Sequence, residues 1–383
     1  MVLMLHFNTL ALFLVSTLCS IQVDAAAAPI CTNRIDEYHL PPTEMTHELL
    51  KLPNSDMILI SQMSNSKLVK VQLGPDGQVT GIEAHSLGGP NAGLHGLSLS
   101  TEYPGMIWCT AEYLNQLLLV DPQPQSLEAP PIIHRTIHVA APGKGPHYIG
   151  EYGDFLWATL KESGHALRLN HKDYSANQTL FPTKPSPIFV AQHPTNKDFY
   201  VTQDQGSSLL RITSNGTTSQ IPIPSQFGST PVGAISGPHG VWFVLLGSNT
   251  TGTGTFGRIN DNGQITWFTL KSNQAKGASL LHLAFESGPD PSHPTLWLLA
   301  SSIVNTNAKD MIIKVQFDET YSTIVSEQAS ALPTQLSMAH RILAIGGNVW
   351  ATELSTAILA RLSSTPGCAH RNSPNIRTEK DLA

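Results

Sequence analysis

The sequence predicts an all-β chain folded as a seven-bladed β-propeller, with an N-terminal strand closing the last blade. Three observations carry that prediction. A short apolar strand, usually with an aromatic, recurs at Ile58, Trp108, Trp157, Tyr200, Trp242, Trp297 and Trp350, at intervals of 50, 49, 43, 42, 55 and 53 residues. Each unit reads as four short strands with Gly, Pro, Asn and Asp turns between them, and no segment keeps a 3.6-residue period over a helical length. The composition agrees, with 29 Gly and 27 Pro in 383 residues and 41% hydrophobic against 13% charged. Solenoids also repeat, but their units are shorter or helical.

The elements follow in chain order. Residues 1–25 read as a secretory signal peptide, with an apolar stretch from Leu10 to Leu18 and a small-residue cleavage site at Val23-Asp24-Ala25. An orphan strand, Ile35 to Leu40, precedes the first unit. Within each unit an apolar run comes first, as in Gly96-Leu-Ser-Leu99 or Ile188-Phe-Val190, and the anchor strand follows. The third run is Leu68-Val-Lys-Val71 in the first unit, Leu117-Leu-Leu-Val120 in the second and Ala166-Leu-Arg-Leu169 in the third. It continues with Leu209-Leu-Arg-Ile212, Phe256-Gly-Arg-Ile259, Ile312-Ile-Lys-Val315 and Ile358-Leu-Ala-Arg-Leu362. A more polar fourth run comes next, such as Gln264 to Thr269. The seventh unit ends at Leu362 without a fourth run, so the orphan strand supplies it. The propeller is expected over residues 26–368, with a polar, disordered tail over 369–383.

A formal charge of −6 without any Lys/Arg cluster argues against nucleic acid or an anionic membrane as partner. No run of 18 apolar residues exists, so no membrane-spanning helix is expected. Export is further supported by three acceptor sequons, at Asn177, Asn215 and Asn249. The expected location is extracellular and the expected state a monomer. Of four cysteines, Cys19 leaves with the signal and Cys109 sits in the apolar run Met-Ile-Trp-Cys, which reads as core. Cys31 and Cys368 flank the closing hairpin and are predicted to form a disulfide across it.

Chemistry concentrates on histidine. Aligning the units on their anchors puts His47, His95, His147, His282 and His340 at the start of the innermost strand in five units, with Ile188 and Val232 in two others. Equivalent positions of a propeller face one another around the axis, so these imidazoles ring one mouth. Imidazole is the usual acid/base at neutral pH and the commonest metal ligand. A His that merely bonds the next blade would also recur, which is the structural alternative. Glu112 and Glu353 follow their anchors near the same face and are candidate metal ligands or imidazole-orienting groups. His95 and His147 are the histidine candidates for a metal. No phosphate loop, Cys-x-x-Cys pair or Gly-x-Ser-x-Gly elbow is present.

The repeat also resembles a known family. Gly145-Pro-His-Tyr-Ile149 leading to Leu156-Trp-Ala-Thr159 is similar to the pattern of the virginiamycin B lyase (streptogramin lyase) family. So is Thr255-Phe-Gly-Arg-Ile-Asn260 followed by Gly263-Gln-Ile-Thr-Trp-Phe268. The resemblance implies a seven-bladed propeller that opens a cyclic depsipeptide or lactone by base-assisted elimination, with Mg²⁺ assisting. It places the family's catalytic histidine on His340, its second histidine on His282 and its first-blade tyrosine on His47. The metal-binding glutamates fall on Met338 and Leu354, with Glu353 one residue off. Three readings therefore stand: a lyase-like enzyme with His340, His282 and His47 as catalytic groups; a transition-metal enzyme using ring histidines; and a non-catalytic propeller binding a small molecule, glycan or protein.

Overall fold

The computed structural model describes residues 31–32, 34–170, 178–286, 294–363 and 367–368, with the side chains of 31–32 and 367–368 left aside. The proposed signal peptide, the sequon Asn177 and the tail over 369–383 lie outside the described residues. So do the side chains of Cys31 and Cys368. The chain divides into two compact units, Asn33–Gly367 and the two chain ends, Met1–Thr32 with Cys368–Ala383. In backbone terms, Cys31–Thr32 pairs with Gly367–Cys368 as a two-stranded sheet.

Asn33–Gly367 contains seven four-stranded antiparallel sheets, and no helix occurs among the described residues. Six of them are consecutive in the chain, with innermost strands Thr46–Lys51, Leu94–Leu99, Pro146–Tyr152, Pro187–Gln192, Pro231–Gly237 and Leu280–Phe285. The seventh uses Ala339–Ile345, Asn348–Glu353 and Ile358–Ser363, and takes its outer strand from Ile35–His39. Ile35 pairs with Leu362 and His39 with Ile358, so the expected closure forms. Each innermost strand contacts the next, and Ala339–Ile345 contacts Thr46–Lys51, which completes the ring.

The recurrent aromatics are wedges between blades. Trp108 packs with Ile149, Leu156 and Leu167 of the third blade, Trp157 with Val190 and Phe199 of the fourth, and Trp350 with Ile58, Ile60 and Val71 of the first. None of the three is exposed at all. An indole suits this seam because two twisted sheets diverge outward and a large flat side chain fills the widening gap. Across the hairpin a cation covers the ring: Arg168 on Trp157, Arg258 on Trp242, Lys314 on Trp297 and Arg361 on Trp350, at 5.3–5.9 Å. In the first blade the residue in that register is Leu59, paired with Leu50 and Lys70, and not Ile58. Ile58 points to the opposite seam, because neighbouring residues of a strand face opposite sides.

Cys109 lies fully buried in the seam between the first two blades, as its apolar run predicts, and burial pushes its thiol upward.

Candidate functional site

Every innermost strand begins with the same irregularity. One residue is bulged between Thr46 and Leu49, Leu94 and Leu97, Pro146 and Ile149, Pro187 and Val190, and Pro231 and Ala234. The sixth and seventh blades repeat it after Leu280 and Ala339. A bulge re-aims the side chain it carries, and its position in all seven strands makes one ring of residues at the mouth. Counted from the residue paired with the end of the second strand, that ring is His47, His95, His147, Ile188, Val232, Leu281 and His340.

His282 is therefore not in the ring. The sequence alignment placed it there, but Leu280 pairs with Ala300 and His282 with Leu299, so Leu281 fills the slot. His282 joins the next layer, with Glu48, Gly96, Tyr148, Phe189, Gly233 and Arg341. The spacing to the anchor failed because it cannot show which residue of a bulge is the extra one. The four ring histidines are consequently contiguous, on blades seven, one, two and three, and the opposite arc is aliphatic.

The imidazoles touch. Ring centroids are 4.6 Å apart for His47 and His340, 4.0 Å for His47 and His95, and 3.7 Å for His95 and His147. His47 Nδ1 and His340 Nε2 lie 2.9 Å apart, and His95 Nδ1 donates to Glu112 Oε2 at 2.8 Å. Burial holds all four below the ordinary histidine range; Arg341 pushes all four in the same direction, and Lys161 does so for His47, His95 and His147. Glu112, by contrast, is pushed up to about 7 by burial, against the pull of Lys161.

Hydroxyls on the second strands lock the arc. Thr352 Oγ1 accepts from Arg341 N and donates to the carbonyl of His47, at 3.2 and 2.7 Å. Ser61 does the same between Glu48 N and the His95 carbonyl, Thr110 between Gly96 N and the His147 carbonyl, and Thr159 between Tyr148 N and the Ile188 carbonyl. Each hydroxyl thus satisfies an amide freed by its own bulge and a carbonyl of the next blade.

The layer beneath closes the channel. Arg341 pairs with Glu48 at 3.0 Å and lies 4.8 Å from the ring of Phe189, which comes from the fourth blade on the far side. His282 and Tyr148 each pack against the same Phe189, at 5.2 Å. Gly96 and Gly233 belong here because a Cβ would sit 2.5 Å from the His147 carbonyl and 2.7 Å from that of Leu281.

Of the sequence-selected groups, His47, His95, His147, His340 and Glu112 are brought together. Glu353 is not: it is fully buried opposite Ala339, accepts a bond from Thr356 at 2.8 Å and is pushed up to about 8 by burial and by Glu37. Met338, at φ 55°, and Leu354 complete no carboxylate pair. Lys161, missed in the sequence, occupies the residue after the second strand of the third blade, the register that Glu112 holds in the second. Extending the repeat alignment one residue past that strand would have found it. A separate cleft of about 640 Å³ lies between the loops of blades five and six, lined by Thr251, Asn273, Lys276, Asn305 and Lys309, and none of the arc residues lines it.

No protein-family model matches the chain, and no curated protein matches it by sequence. Solved structures do. A catalytically inactive variant of virginiamycin B lyase from Staphylococcus aureus, with quinupristin, superposes with a TM-score of 0.66 over 87% of this chain and 99% of that one, at 19% identity. The chain shares the fold of the streptogramin B lyases. A second streptogramin B lyase structure gives 0.64 at 20% identity, over 86% of this chain and 97% of that one. Kuenenia stuttgartiensis hydrazine synthase gives 0.62 at 11%, over 86% and 98%, so the fold leaves the chemistry to the site.

The Mg²⁺ that the family resemblance implies does not fit these residues. A hard ion takes oxygen donors. The arc offers imidazole nitrogens, its one carboxylate is committed to His95, and Glu353 is elsewhere.

Proposed function

We propose that the protein is an exported lyase-like enzyme that opens an ester or lactone of a cyclic natural product by base-assisted elimination at the histidine arc. The observation that carries this reading is the contiguous arc of four buried, neutral imidazoles above a closed floor. Neutral imidazole is a competent base for a C–H held beside it.

The proton acceptor we assign is His147. His340 and His47 are bonded to each other, and their remaining nitrogens, like His95 Nε2, are closed off. His147 nitrogens carry no hydrogen bond among the described residues and are not among those closed off. His282 lies in the layer beneath the ring, so our reading gives it no part in the proton transfer. The base takes the proton beside the carbonyl, its electron pair forms the C=C bond, and the C–O bond breaks to release the carboxylate. Lys161, whose charge acts on both His147 and Glu112, is the group we assign to stabilise the developing oxyanion.

Export is part of the same reading. Asn215 and Asn249 are exposed, as acceptor sites need to be. The backbone pairing of Cys31–Thr32 with Gly367–Cys368 favours a Cys31–Cys368 disulfide.

The test is mass spectrometry of cyclic depsipeptides and macrolactones incubated with the protein. Elimination yields a ring-opened product of unchanged mass, and His147→Ala should slow it by about 10²–10⁴-fold. Products heavier by one water, or turnover unaffected in the variant, would overturn the assignment.

A further inference from the structure

We propose that His47, His95 and His340 together bind one divalent transition-metal ion of the zinc class. The inference does not depend on the elimination reading, since it rests on the donor geometry of the three rings.

One donor atom from each of these side chains can be chosen so that all three lie within 4.8 Å of one another. They come from blades seven, one and two, so the ring closure itself brings them together. All three residues are at least nine-tenths buried, at 5%, 2% and 6% exposure, yet His47 Nε2, His95 Nε2 and His340 Nδ1 have no partner. Buried polar atoms are nearly always paired, and the free Nε2 of His95 beside the His47–His340 contact pair calls for a cause.

Tautomers do not supply one. A single proton between His47 Nδ1 and His340 Nε2 satisfies that contact but leaves one outer nitrogen as a bare lone pair and the other as an N–H without an acceptor. A metal ion at the two inner nitrogens takes both of their lone pairs, places the N–H of each ring on its outer nitrogen, and gives the His95 Nε2 lone pair a partner. The 2.9 Å between these two nitrogens is also a few tenths of an ångström from the edge of a tetrahedral site, about 3.3 Å for metal–nitrogen bonds of about 2.0–2.1 Å.

His95 is prepared for the role. Its Nδ1–H bond to Glu112 fixes the tautomer with the Nε2 lone pair free, the carboxylate–histidine arrangement that orients metal ligands. Three imidazoles suit zinc, copper, nickel or iron and leave a coordination position for a non-protein donor. His147 touches His95 but stands outside the trio, and His282 lies in the floor.

The experiment reads metal directly. The full chain is purified without chelator and assayed by elemental analysis, and the chelator-stripped protein is then titrated with Zn²⁺ and with Co²⁺. Expected are one ion per chain and, for Co²⁺, the visible d–d bands of a low-coordinate nitrogen site. Glu112→Gln, which keeps shape and volume, should weaken Zn²⁺ binding about 10–100-fold. His95→Ala should abolish it and His282→Ala leave it intact. Substoichiometric Zn²⁺ and featureless Co²⁺ spectra with the wild-type chain would overturn the proposal, as would equal losses in the His282 and His95 variants. Neither result bears on the product mass that tests the elimination.

Discussion

Replacing Asp310 by asparagine should destabilise the propeller far more than a one-atom change suggests. Asp310 is fully buried in the turn of the sixth blade and uses both oxygens. Oδ1 accepts from Ser302 N at 2.8 Å and Ala339 N at 3.0 Å, and Oδ2 from Ser302 Oγ at 2.8 Å and Ser337 N at 3.0 Å. An asparagine must turn its NH₂ toward one of these pairs. Turned toward the Oδ2 pair, it loses two charge-assisted bonds and leaves the Ser337 amide facing another donor. At about 1.5–3 kcal/mol per bond to a charged group, the loss of two is about 3–6 kcal/mol. For a domain of this size that lowers the melting temperature by roughly 4–8 °C. Thermal unfolding followed by circular dichroism measures it, with Asp76→Asn as control. Asp76 is exposed and makes a single turn bond to Gln78 N, so its variant should melt with the wild type. A melting temperature for Asp310→Asn within about 2 °C of wild type would refute the reasoning that this carboxylate clamps the sixth blade to the seventh. The same variant should disturb the site, because Ala339 immediately precedes His340.

Two further predictions concern the same seams. Thr352→Val keeps the shape but strands the Arg341 amide and the His47 carbonyl, which should cost about 2–4 kcal/mol in denaturant unfolding and, on our metal assignment, lower Zn²⁺ uptake. Glu353 is pushed up to about 8 from an ordinary 4.5, first by burial and then by Glu37, so the folded protein keeps a proton that the unfolded chain releases. Its contribution is fully present below the unfolded value and is lost as pH rises through about 8; Glu353→Gln should flatten the decline in stability between pH 5 and 8, and an unchanged slope would exclude Glu353 as its source.

Much of this molecule was legible in one dimension. The count of seven, the missing fourth strand after Leu362 and the orphan strand at Ile35 are local patterns, and each unit's strands pair with chain neighbours. Local pairing is what periodicity reports. Four of the five selected histidines stand in the ring for the same reason. What the sequence misjudged lies within one residue: Ile58 for Leu59, and His282 for Leu281. A strand reverses its facing at every step, and a bulge adds one uncounted residue, so register is decided by which hydrogen bonds form and not by spacing to an anchor.

Apart from the pairing of Glu112 with a histidine of its own blade, the bonding of the arc was beyond the sequence. That His340 meets His47 across 293 positions, and that Arg341 meets Phe189 across the axis, depend on closing the ring. The repeat determined which residue types face the axis. Only the closed tertiary structure determined which of them touch, which are sealed from water and which are left with unmet bonds, because those are properties of neighbours brought together from different blades.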